Sequence, residues 1–332
     1  MKFIYEIFII LAYLLSQPFR VFSSKTNLFF KGRKDSFKIL RKEVSPSDKN
    51  IWFHVASLGE FEIAKPIIES LKSNVADIKI IVTFFSPSGL ENSKDYTTAD
   101  SMVYLPLDLS LNAKKFVKIV NPKVAVFIKN DIWSNYLTYL KQNNSLIYSV
   151  SSKFDKSQFY FKFYGNWFLK KLKNIDFFYI QDFNSESILK KYSLKNINIS
   201  GDSRFTSVIK TLEENNQINY IEKFIDNQKC LIAGSVWEKD ISIIDKVVQK
   251  NNIKSIIAPH NISSNFIKKL ENLYGDKAVK YSCLKSEGDF DKKILIIDSI
   301  GSLKYIYKYG HVSYIGGGMS NNGLHNILEP AV

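Results

Sequence analysis

From residue 51 the chain alternates short β-rich runs with stretches whose apolar positions recur at helical spacing. "IWFHV", "IKIIVTF", "SMVYLP", "KVAVFIK", "SLIYSV" and "DFFYIQ" read as strands. Such alternation is the mark of a parallel sheet covered by helices. After "NINISGDSRF" the pattern loosens through the polar stretch "KTLEENNQINY", a plausible link between domains. It restarts with "KCLIAGS", "IKSIIAP", "KILIID" and "HVSYIGG". The expectation is two doubly wound, Rossmann-like α/β domains in tandem, over residues 24–210 and 211–332, with ligands held at the carboxyl ends of the strands. The chain ends at "HNILEPAV", inside what should be a helix and with no capping Gly or basic last turn, so the second domain is expected to be truncated.

Residues 1–23 follow another pattern. "FIYEIFIILAYLLS" is apolar except for Glu6, and is followed by "QPFRVF" and then by "KGRKDSFKILRK". The apolar run is short for a full membrane span of about 20 residues. No small-residue cleavage site follows it, which favours an uncleaved membrane-anchor helix over a signal peptide. Lys31, Arg33, Lys34, Lys38, Arg41 and Lys42 stand against Asp35 alone in the basic stretch. Positive charge there argues that the bulk of the chain stays on the cytoplasmic side, where these residues also meet anionic headgroups. The competing reading is a buried amphipathic first helix.

The formal net charge of +14 points to an acidic partner. Nucleic acid does not fit, because the basic residues are dispersed and no recognition motif accompanies them. Cys230 and Cys283 form no CxxC and belong to no His/Cys cluster, so neither a disulfide framework nor a structural zinc site is indicated, and a reducing compartment fits.

Candidate chemistry gathers where strands end. "ASLGE" follows "IWFHV" and opens a helix, which puts Glu60 beside free backbone N–H groups that favour an anion. Glu60 is then either a functional carboxylate or an ordinary first-turn acid behind a Ser57 or Gly59 cap. A phosphate would be repelled there, so a neutral hydroxyl substrate suits the corner better. "FIKNDIWSN" places Lys129 and Asp131 beyond another strand, and "SGDSRF" presents Arg204, whose guanidinium forks onto phosphate or carboxylate. In the second half, "AGSVWEKD" carries Ser235 at a strand end, and "IIAPHNISS" ends a strand at Pro259 and His260. "DSIGS" and "GGGMSNNGLHN" are turns of helix-opening type. Gly316, Gly317 and Gly318 permit close backbone approach to a phosphate, and Glu329 lies four residues into the helix expected after His325. The spacing is neither GxGxxG nor GxxxxGK[ST].

Taken in order, "ASLGE", "DIWSN", "GDSRF", "APH", "IDSIGSL" and "GGGMSNNGLHNILEPA" resemble the bacterial Kdo transferases that act on lipid A precursor. The resemblance spans nearly the whole chain. It implies a GT-B fold and metal-independent, inverting transfer of 3-deoxy-D-manno-octulosonate (Kdo) from CMP-Kdo to tetraacylated lipid A precursor (lipid IVA) at the cytoplasmic face of the inner membrane, with no cofactor beyond the donor. By motif, Glu60 matches the general base and Arg204 a cation that steadies the departing phosphate. Ser235, Pro259, His260, Ile300, Gly301, Ser302, Asn326, Ile327, Leu328 and Glu329 match segments that hold CMP. Lys129 and Asp131 stand where many members have Glu-Thr-Glu-Leu-Trp-Pro, so Lys129 replaces the first Glu and reverses its charge. "SVSSKFDKSQ" likewise departs from an Arg-containing form. The rival readings are another GT-B sugar-nucleotide transferase or epimerase, and an inactive membrane-bound lipid A binding protein.

Overall fold

The computed structural model describes residues 2–20, 24–202, 204–213, 217–251, 253–319 and 327–331. Two compact units divide at Ser207/Val208. The first is built on seven strands: β1 (Lys49–Val55), β2 (Ile78–Phe84), β3 (Ser101–Tyr104), β4 (Val124–Ile128), β5 (Leu146–Ser152), β6 (Phe177–Ile180) and β7 (Ile197–Ile199). Every pairing between them is parallel, in the order β3-β2-β1-β4-β5-β6-β7. Six residues of β1 are buried in succession, as a parallel strand covered on both faces requires. Alternate side chains still part to opposite layers. Phe53 and Val55 pack with Phe61, Ile68, Val82 and Phe84, whereas Trp52 packs with Phe116, Phe127 and Tyr136.

Six helices of this unit bear on the site: α1 (Lys2–Ser16), α2 (Ser24–Glu43), α3 (Leu58–Asn74), α4 (Pro87–Glu91), α5 (Ser110–Val120) and α6 (Ser134–Gln142). The stretch Phe3–Arg20 is apolar enough to cross a membrane by length and composition, and none of it is buried. Yet α1 does not stand clear of the unit. The Tyr5 hydroxyl donates to Asp108 at 2.8 Å and the Ser110 amide to Glu6 at 3.2 Å. Farther along the helix, Tyr13 meets Phe30 edge-on. The one acid in the apolar run is therefore bonded to the protein, while Phe3, Ile4, Phe8, Leu11 and Leu15 are exposed.

Arg33 departs from the expectation that the residues of the basic stretch meet anionic headgroups. It is buried, donates to the Phe29 carbonyl at 3.0 Å and the Phe85 carbonyl at 2.7 Å, and lies 3.5 Å over the Phe29 ring. Burial lowers its pKa to about 10. A guanidinium held this way cannot reach a headgroup. Lys31, Lys34, Lys38, Arg41 and Lys42 remain exposed.

The second unit contains β8 (Cys230–Val236), β9 (Lys254–Pro259), β10 (Ala278–Lys280), β11 (Ile294–Ile296) and β12 (Val312–Ile315), parallel throughout and ordered β10-β11-β9-β8-β12. β10 escapes the sequence pattern because this edge strand is only half-buried and carries a Lys. Around β8 and β9, Ile232, Ile256 and Leu295 pack with Phe224 on one face, and Ala233, Ile257 and Ile294 with Ile244 and Leu270 on the other.

Candidate active site

In the first unit the strand order reverses beside β1. The chain moves outward to β2 and β3, then returns to β4 on the other side of β1. A parallel sheet opens a crevice at such a point, beyond its strands' carboxyl ends. Glu60 follows β1 and Lys129 and Asp131 follow β4, so this topology brings together three residues that lie apart in sequence.

The corner after β1 is tight. Ser57 precedes α3 in an extended conformation, with no cap from its side chain. Gly89 of α4 packs against the corner, where an added Cβ would lie 2.6 Å from Phe84 and 3.2 Å from the Ser57 carbonyl carbon. Glu60 is the third residue of α3. Its carboxylate turns back past the cap and accepts from the Ala56 amide at 2.5 Å. The Ala56 amide favours the anion, as the position at a helix start suggests, but the net shift of the Glu60 pKa is upward. Burial raises its pKa, partly offset by the Ala56 hydrogen bond; Asp131 raises it further, and Lys129 and His54 lower it.

Lys129 has a φ of 55°, in the left-handed region that non-glycine residues rarely occupy. The Val150 carbonyl accepts from its amide at 2.8 Å, and the Ser152 hydroxyl donates to its carbonyl at 2.6 Å. Strain of this kind clusters at functional sites, where packing over-determines the backbone. Asp131 lies 2.8 Å from Nε2 of His54, a residue of β1 that is completely buried. The Trp133 indole nitrogen is 3.0 Å from the same Nε2, and its ring stacks on Phe85.

The second unit repeats the topology, with β9 on one side of β8 and β12 on the other. Ser235 and Pro259 lie in the last two residues of β8 and β9, while His260 and Ile300–Ser302 follow the carboxyl ends of β9 and β11. Ser235 has a φ of 52°. Asp240, fully buried, accepts from the Trp237 amide at 2.8 Å, the Tyr314 hydroxyl at 2.9 Å and the Gly317 amide at 3.1 Å. One carboxylate thus ties the turn after β8 to the glycine loop after β12. Gly316 fits because an added Cβ would lie 2.2 Å from the Ser235 carbonyl oxygen and 2.8 Å from Asp240 Oδ2. Trp237 stacks on His260, with ring centroids 4.5 Å apart. Ile300 is 87% exposed. Glu329 begins a short 3-10 turn, Glu329–Ala331, preceded by Ile327 and Leu328. Asn326 lies outside the described residues. Arg204 opens the helix Arg204–Glu213, and its side chain also lies outside what is described.

Sequence reasoning missed His54, Trp133 and Asp240. His54 had a signal, being the one ionisable side chain within the apolar run "IWFHV". Asp240 had another, three residues after Trp237, the spacing at which an acid reaches back to a helix start. Among the described residues no three His, Cys, Asp or Glu side chains converge as a metal-ligand set.

A family model described as 3-deoxy-D-manno-octulosonic-acid transferase (kdotransferase) matches residues 31–207. The 3-deoxy-D-manno-octulosonic acid transferase of Chlamydophila psittaci is 26% identical over 343 residues, covering 99% of this chain and 78% of that protein. The enzyme of the same description from Aquifex aeolicus is 26% identical over 288 residues, covering 84% and 72%. Among solved structures, the UDP-GlcNAc 2-epimerase of Neisseria meningitidis bound to UDP-GlcNAc aligns with a TM-score of 0.53 at 12% identity, over 80% of this chain and 76% of that one. At that identity the likeness is one of fold.

Proposed function

The chain belongs to the 3-deoxy-D-manno-octulosonic-acid transferase family, and on that premise we propose that it is a GT-B glycosyltransferase moving Kdo from CMP-Kdo to the lipid A precursor lipid IVA. The acceptor hydroxyl oxygen bonds to the anomeric carbon of Kdo as that carbon's bond to the CMP phosphate oxygen breaks. The hydroxyl proton passes to Glu60 and the electron pair leaves on the phosphate. Attack opposite the leaving group inverts the configuration. Arg204 steadies the departing charge, and Lys129, a cation where many relatives carry an acid, attracts the Kdo carboxylate. In the second unit the loops after β8, β9, β11 and β12 hold CMP.

The observation that carries this reading is the state of Glu60. An alcohol is a poor nucleophile until its proton is leaving, and a base works best when its pKa lies toward the working pH. Burial moves Glu60 in that direction, at the switch point where a substrate is expected. The test is transfer by Glu60→Gln: loss of transfer with the fold intact supports the base, and transfer at the wild-type rate refutes it.

We further propose that α1 lies in the surface of the cytoplasmic leaflet of the inner membrane rather than across it. What supports this is that Tyr5, Glu6 and Tyr13 all bind the first unit, holding two turns of the helix against it. Its exposed apolar side chains then enter the leaflet, and the exposed lysines of α2 meet anionic headgroups.

A further inference from the structure

Six aromatic residues crowd the stretch from Phe159 to Trp167, after β5. Two 3-10 turns, Phe159–Phe161 and Phe163–Gly165, carry it into the helix Asn166–Leu172. The turns sort the rings. Tyr160 and Phe161 are buried, stacked on Phe168 and Tyr192 respectively. Phe163 is 93% exposed, with the exposed Tyr164 ring beside it at 5.1 Å. The backbone closes tightly under this display. The Lys162 amide donates to the Phe159 carbonyl at 3.1 Å and the Gly165 amide to the Lys162 carbonyl at 2.9 Å. An added Cβ on Gly165 would lie 1.9 Å from the Phe159 carbonyl oxygen, so only glycine fits there. Rings held in water by two closed turns forgo the gain from burial, and contiguous exposed apolar groups mark a surface that something covers.

Three observations say what covers it. Trp167, four residues beyond Phe163, packs on the core of the first unit, and its ring meets Tyr5 of α1 at 5.2 Å. The exposed Phe3, Ile4 and Phe8 of α1 lie within one turn of Tyr5 along that helix, so the turns adjoin the membrane-facing helix. Charge points the same way. Between residues 153 and 173 there are six lysines against Asp155 alone, and Lys156, Lys162 and Lys170 are exposed. A second copy of this chain docking on the same face would set like charges against each other, whereas an anionic leaflet complements them. The side chains also suit a bilayer boundary, where phenylalanine enters the apolar layer and tyrosine keeps its hydroxyl among the headgroups.

We propose that the turns Phe159–Gly165 form a second membrane contact adjoining α1, in which Phe163 and Tyr164 enter the boundary between headgroups and acyl chains of an anionic leaflet. The inference rests on the reading of α1 as lying in that surface. Two points of attachment restrict how the unit turns on the leaflet better than one. The turns are also tied to the candidate site, because the Asn130 side-chain amide, between Lys129 and Asp131, donates to the Tyr160 hydroxyl at 3.3 Å. The surface that meets lipid is thereby joined to the loop after β4.

The test is cosedimentation of the full chain with vesicles of equal parts phosphatidylcholine and phosphatidylglycerol, for the wild type, Phe163→Ser combined with Tyr164→Ser, Phe163→Trp, and Phe8→Asp in α1. Phe163 and Tyr164 are exposed, so thermal melts should show the variants folded as the wild type is. The paired serine variant is expected to bind about tenfold more weakly, the loss that follows from withdrawing one large apolar side chain from an apolar medium. Phe163→Trp should bind as the wild type does, and its fluorescence should move to shorter wavelength on adding vesicles by more than the wild-type tryptophans move. Wild-type binding by the paired serine variant, or no such extra shift in Phe163→Trp, would overturn the proposal. A wild-type dimer that the serine pair dissociates, with vesicle binding unchanged, would assign the rings to a second copy and overturn it as well. The Phe8→Asp arm keeps the two readings apart: if it binds as the wild type does while the serine pair does not, the placement of α1 falls and the contact through the turns stands.

Discussion

The Glu60 carboxylate accepts a hydrogen bond from the Ala56 amide at 2.5 Å, reaching back past the start of its own helix to the end of β1. That bond stabilises the anion, but burial outweighs it, and the carboxyl is left with a raised pKa. The folded chain therefore keeps this proton over a pH range in which the unfolded chain has released it. Stability contributed by the group falls as pH rises through that range.

Two consequences follow for pH. The acid limb of the transfer rate should lie above that of an exposed glutamate, because the base is lost as soon as Glu60 protonates. Glu60→Gln, which can still accept from Ala56, should raise Tm at neutral pH, and the gain should vanish at acid pH where both states are protonated. Thermal melts across a pH series check this; a Tm lowered by Gln at every pH would contradict it.

Asp108 makes a second electrostatic prediction. It caps α6 by accepting from the Asn135 and Tyr136 amides, and it holds α1 through Tyr5. Burial pushes its pKa up to about 6. Asp108→Ala should cost roughly 1–3 kcal/mol, the usual range for losing a cap and leaving buried donors unpaired. In the wild type, stability from this group should decline as pH rises from the ordinary carboxylate range through about 6, and Asp108→Asn should remove that decline.

The glycine loop of the second unit should tolerate no side chain. Gly316→Ala drives a methyl into the Ser235 carbonyl and Asp240. Binding of CMP, followed by calorimetry, should weaken by at least about tenfold, the equivalent of about 1.4 kcal/mol. Asp240→Asn, which keeps one acceptor oxygen, should weaken it less. Unchanged affinity in Gly316→Ala would place the nucleotide elsewhere.

Membrane contact through α1 is tested with Phe8→Asp and Leu11→Asp, both on its exposed face. Cosedimentation with vesicles containing anionic phospholipid should fall sharply while Tm is unchanged. Binding that survives both substitutions would remove α1 from the membrane contact.

Most strands were legible because buried parallel strands are written as continuous apolar runs, as in "IKIIVTF". β10 was not, since an edge strand with Lys280 lacks that signature. Glu60, Lys129 and Asp131 were legible as strand-end residues, but their convergence required the strand order. His54 and Asp240 were overlooked for one physical reason: each is a buried polar residue whose worth depends on partners distant in sequence, Asp131 for one, and Tyr314 with Gly317 for the other. The environment of Glu60 was legible only in part: helix position suggests a stabilised anion, whereas the degree of burial, which sequence position does not disclose, decides the sign.

The most direct measurement incubates the wild-type chain and Glu60→Gln, side by side, with CMP-Kdo and lipid IVA, and follows the mass of the lipid. The prediction is a Kdo adduct formed by the wild type and a rate roughly 10²–10⁴-fold lower in Glu60→Gln, the usual worth of a positioned base. No adduct from the wild type, or equal rates from the two chains, would contradict it.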